Sequence, residues 1–90
     1  MNDIGRLISK KEMLGKDWND FDKYPKNGDN IMLHIIAHHI GENKNSHDFI
    51  PVVGFNAATF CMRDYIPKMT GVSWICTWLP MDELIKNNIR

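Results

Sequence analysis

Little in this chain points to secretion, a membrane or catalysis. It has two cysteines, Cys61 and Cys76, whose separation fits neither a metal knuckle nor a Cys-x-x-Cys redox pair. Reduced thiols in the cytoplasm are the expectation, with Cys76 acting as a small buried hydrophobe inside an apolar stretch. No apolar run approaches the roughly 18 residues of a spanning helix. Residues Met1 to Arg6 lack the basic and apolar regions of a signal peptide. Eleven basic and eleven acidic side chains cancel, which removes the global positive field that binding to long nucleic acid or an anionic membrane requires. The serines are Ser9, Ser46 and Ser73, and none sits in a Gly-x-Ser-x-Gly elbow. Gly28, Gly41, Gly54 and Gly71 are isolated turn glycines, not a phosphate-cradling loop.

What is present is one strong apolar segment. Ile31 to Ile40 runs between Asn27-Gly28-Asp29-Asn30 and Gly41-Glu42-Asn43, a length and composition that predict a central strand. Alternation puts Ile31, Leu33, Ile35, Ala37 and His39 on one face. Met32, His34, Ile36, His38 and Ile40 fall on the other, a semi-polar face with partly exposed histidines. Ninety residues make a single domain over 1–90, too short for a second core.

Around that strand the chain reads as follows. Ile4, Leu7, Ile8 and Leu14 recur at helical spacing before Gly15, predicting an N-terminal helix over 1–15. Residues 17–29 interleave acids, aromatics, Pro25 and Gly28 as an ordered loop. Its acids do not match a calcium loop, whose sixth position would be Asp22 and twelfth Gly28. Residues 41–48 read as a polar hairpin connection and Phe49 to Phe55 as a second strand. Pro51 marks an edge position or an early residue outside the ladder, and Gly54 a bulge or a close approach of another backbone. A third strand is expected over Thr59–Met62 and a fourth over Val72–Leu79, rich in β formers. Pro80 followed by acids and then bases predicts a terminal helix over 81–90. The expected fold is α+β: a small antiparallel sheet of about four strands with short helices at both ends. A core this small favours a homo-oligomer, with Leu7 and Ile8 or Leu84 and Ile85 between subunits.

Two anchors carry a family resemblance. Trp18 precedes Tyr24-Pro25, Gly28 and the strand Ile31-Met32-Leu33; later, Thr77-Trp78-Leu79-Pro80-Met81 follows a short strand. Residues 17–82 thereby resemble a domain-of-unknown-function family of phage and enterobacterial genomes. Its members begin Trp-Ile-x-Val with Leu-Pro and a Gly turn, and end His-Trp-Met-Pro-Leu-Pro. Val53-Gly54-Phe55 matches a middle strand of that pattern. Thr77 stands where the family has His, and Asp82 where it has a second Pro. The resemblance implies a small sheet domain in a phage setting, hence a host-cytoplasmic location, and favours Trp78 as core. It carries over no activity.

Neither composition nor spacing offers a catalytic set. His34 and His38 share a strand face but lie about 13 Å apart by strand rise, too far for one metal without His47 or a second chain. No catalytic residue, metal or cofactor is assigned, and a metal-assisted hydrolase ranks third. Binding is the better expectation. Trp74 offers a stacking surface, and Arg63, Tyr65, Lys68 and His47 offer hydrogen-bond donors. The leading reading is a non-enzymatic binder that sequesters a small nucleotide-derived ligand, such as a host anti-phage defence signal. The alternative is a protein-interaction inhibitor of a host enzyme or defence complex.

Overall fold

The computed structural model describes residues 6–66 and 68–86. A three-stranded antiparallel sheet in the order β3-β2-β4 forms its centre, built from β2 (Ile31–His39), β3 (Lys44–Val52) and β4 (Val72–Pro80). A two-residue ladder joins β1 (Arg6–Leu7) to β5 (Ile85–Lys86), and one short helix, α1, covers Lys10–Leu14. The architecture is α+β with an antiparallel sheet, as expected. Three strands, not four, make up the main sheet.

β2 is a near-continuous apolar run because both its faces are covered. On one face Ile31, Leu33 and Ile35 join Val52, Phe55 and Trp78 in a core, roofed by Phe21, Phe60, Tyr65 and Ile66. On the other, Met32 and Leu79 pack with Met13 of α1 and Leu84, flanked by Trp18 and Phe49. His34 lies in this second layer at 5% exposure. The expected semi-polar face is therefore half wrong: its Met32–His34 end is buried, and only its Ile36–Ile40 end opens to solvent.

The remaining differences have local causes. The polar segment taken as a hairpin connection is mostly strand, since only residues 40–43 turn and Lys44–Asp48 pair with Ile35–His39. An edge strand with one wet face tolerates such residues. Pro51 does lie on an edge strand. Gly54 is no bulge; it turns the chain just beyond β3 with φ 66°. The strand expected at Thr59–Met62 is replaced by a turn and a 3-10 segment over Met62–Tyr65. Asn56 starts that turn, its side chain accepting from Ala58 N–H at 2.9 Å and its carbonyl from Phe60 N–H at 2.8 Å.

At the chain ends, α1 is shorter than the helix expected over 1–15, and residues 1–5 lie outside the described residues. The helix expected over 81–90 is a 3-10 turn, Met81–Leu84, followed by β5; residues 87–90 lie outside the described residues. The turn stops there because the Leu84 carbonyl accepts the Ile8 N–H at 2.9 Å, which draws the chain into the small ladder. Leu84 is fully buried and Ile8 packs beside it. These two residues are thus used inside one chain, not between subunits. No helix among the described residues is long and apolar enough to cross a membrane.

Ser9 and Glu12 form a reciprocal capping box on α1. Ser9→Ala is expected to cost about 1 kcal/mol, a fall in Tm of roughly 4–8 °C for a domain this size. A thermal melt checks this, and an unchanged Tm would mean that α1 contributes little to covering Met32 and Leu79.

Candidate functional site

The sequence-derived ligand residues divide between the two sheet faces. Trp74 stands on β4 opposite Ala37, half-buried against the Ile31–Trp78 core. Tyr65 closes the 3-10 turn and packs on the same core, its ring stacked on Phe60 at 5.8 Å and 21°. Phe60 in turn stacks on Phe21 at 5.4 Å and touches Phe55 at 5.0 Å. Tyr65 and Trp74 therefore pack against the same core on one face of the sheet. Arg63 is exposed in the turn that carries Tyr65, and Lys68 is exposed in the connection to β4.

His47 does not join them. It pairs with Ile36 across the β2–β3 ladder, so its side chain lies on the opposite face of the sheet. There it meets His34, with Nε2 of His34 3.0 Å from Nδ1 of His47. Strand alternation keeps it away from the layer that holds Trp74, so it is withdrawn from the ligand set.

The His34–His47 pair is what sequence reasoning missed. His34 sits between Phe49 (4.6 Å, 18°) and His47 (5.2 Å, 28°), with Trp18 tilted against it at 4.9 Å. Trp18 is held by its Nε1–H donating to the Met13 carbonyl at 2.8 Å. Burial, and then the neighbouring charge of His47, lower the His34 pKa to about 4. At neutral pH it is a neutral imidazole sharing a hydrogen bond with His47. The signal was present in the hairpin register, which makes residues 34 and 47 diagonal neighbours. Placing His47 in a loop concealed it.

The other two histidines on the sheet are locally engaged. His38 Nδ1 is 2.7 Å from Asn45 Oδ1, and His39 Nε2 is 3.3 Å from Ser46 Oγ. Cys76 is half-buried, and burial pushes its thiol up to about 11, which leaves little thiolate for nucleophilic attack. Among the described residues no three His, Cys, Asp or Glu side chains converge as metal ligands would. What the arrangement offers is an aromatic layer with Arg63 exposed in the turn that carries Tyr65, and behind the sheet an imidazole pair in which His34 is buried and His47 half-buried.

Comparison of the chain with protein-family models, curated proteins and solved structures returned no match.

Proposed function

We propose that this chain is a non-enzymatic, phage-type binding protein that sequesters a small nucleotide-derived ligand of the kind used as a host defence signal. The observation that carries the reading is the pairing of core-packed rings with an exposed cation: Tyr65 and Trp74 on one core, and Arg63 exposed in the Tyr65 turn. Rings already immobilised by packing lose no further rotamer freedom when a base stacks on them. Stacking is worth roughly 1–3 kcal/mol per base, and a charge-assisted hydrogen bond about 1.5–3. Zero net charge suits a single small anion, which needs only a few donors, better than a polymer with many phosphates. The phage setting rests on the Trp18–Pro25 and Thr77–Met81 motifs, and a host-cytoplasmic location follows from it.

Calorimetric titration against cyclic and linear nucleotides tests this. One of them should bind with a Kd of micromolar or below, and Arg63→Gln should weaken it about 10- to 150-fold. If none binds, the ligand reading fails.

A protein-interaction inhibitor is the second reading. It is favoured by the open end of the sheet, where Ile40 and Ile75 stand 63% and 58% exposed. Recovery of one host protein at fixed stoichiometry, with no nucleotide bound, would select it.

A further inference from the structure

The two edges of the sheet differ in chemistry. On β3, alternate residues turn their backbone groups outward, and this outward set is Asn45, His47, Phe49 and Pro51. Pro51 has no N–H to offer there, and Lys44 and Asp48 put charge along the same strand. These are the usual devices that blunt an edge against further pairing.

β4 has such a device only at its far end, where Pro80 follows the Asn19 bridge to Trp78. Asn19 N–H donates to the Trp78 carbonyl at 2.9 Å, and Trp78 N–H to the Asn19 carbonyl at 3.0 Å, so the backbone groups of Trp78 face away from β2. By alternation those of Cys76, Trp74 and Val72 face outward too. The ladder ends agree, because Ile40 N–H donates to the Gly71 carbonyl and Met81 N–H to the Asn30 carbonyl, both from the inward set. Asn19 closes the edge only at Trp78. Among the described residues nothing hydrogen-bonds the outward groups of Val72, Trp74 or Cys76. From Thr70 to Thr77 the sequence has no charge and no proline.

We infer that the β4 edge is a homodimer interface, at which a second copy of this chain adds its own β4 antiparallel about a two-fold axis through Trp74. That register sets Trp74 opposite the partner's Trp74, Val72 opposite the partner's Cys76, and Ser73 opposite the partner's Ile75. Every outward N–H of Val72, Trp74 and Cys76 then meets an outward carbonyl, giving about six hydrogen bonds across the axis. An axis through Ile75 would set Val72 against the partner's Trp78, which Asn19 already occupies. The absence of charge over this stretch lets two identical edges meet without like-charge repulsion. A chain-specific partner would need features that tell it from a second copy, and this stretch carries no charged group to supply them. The pairing runs the two sheets into one and brings both Trp74 rings to the same face. It stands independently of any ligand.

The test is sedimentation at tens of micromolar with paired charge variants at the exposed Ser73 and Ile75. The parent chain should sediment at twice 10.5 kDa. Ser73→Lys with Ile75→Lys should give a folded monomer, since the register sets lysine against lysine. Ser73→Lys with Ile75→Glu should restore the dimer, since lysine then faces glutamate across the axis. A monomeric parent overturns the inference. So does a dimer that withstands the double lysine change. Circular dichroism compares the two double variants, and a rescued dimer excludes misfolding as the cause of the monomer.

Discussion

Trp78→Ala is expected to leave the chain largely unfolded at 37 °C. The ring is 8% exposed and packs with Ile31, Leu33, Ile35, Val52 and Phe55. Truncating a buried aromatic costs about 3–5 kcal/mol, while a domain this small has a total stability of only about 5–10 kcal/mol. Two further losses add to the cavity. The indole Nε1–H donates to the Lys23 carbonyl at 2.8 Å, which anchors the 20–25 loop over the sheet. That loop carries Phe21, whose ring lies 6.5 Å from Trp78 and 5.4 Å from Phe60. Removing the indole therefore loosens the roof of the core as well as its floor. Urea unfolding followed by tryptophan fluorescence and circular dichroism measures this. A midpoint within about 0.3 M of the parent would show that the roof does not depend on Trp78. Trp78→Phe should recover the volume in part but not the hydrogen bond, and should fall between the two.

How far the sequence alone led depends on which force placed each segment. β2 was legible because burial on both faces leaves an uninterrupted apolar run between turn residues, and the alternation of Ile31, Leu33 and Ile35 gave the core face directly. β4 was legible from its density of β formers, with its two tryptophans on one side. β3 was partly hidden, since Lys44 to Asp48 lie on an edge where polar residues cost little, so composition read them as a turn. The segment after Asn56 misled in the other direction. Thr59 to Met62 read as strand by propensity, yet Phe60 roofs the core, with Tyr65 and Ile66, from a turn that Asn56 initiates, and tertiary packing overrode propensity. Of the ligand residues, Tyr65 and Trp74 share a layer because both answer to the same apolar core. His47 was misplaced because its face depends on a hairpin register that the sequence did not reveal.

Acidification should destabilise the fold through that same register. His34 is buried between Phe49 and His47 beneath Trp18, and its folded-state pKa is lowered from 6.5 to about 4, first by desolvation and then by the charge of His47. A depressed histidine pKa means that the unfolded chain binds a proton more readily than the folded one over that interval. Stability from this group is therefore complete above about pH 6.5, falls as the pH drops, and is fully lost near pH 4. The shift sets an upper bound of about 3 kcal/mol, at 1.36 kcal/mol per unit. The groups facing His34 on its sheet face are His47, Phe49, Trp18 and Thr77. None of them is a carboxylate that could compensate the new charge. Asp48 is adjacent in sequence to His47 but points to the other face of the sheet. Thermal melts between pH 7.5 and 4.5 should show a falling Tm, steepest below pH 6. His34→Phe should retain the stack on Phe49 and flatten that slope, at the cost of the hydrogen bond to His47. If the variant and the parent lose stability in parallel over this range, the acid sensitivity belongs to other groups. The buried imidazole would then be fully compensated in its charged form.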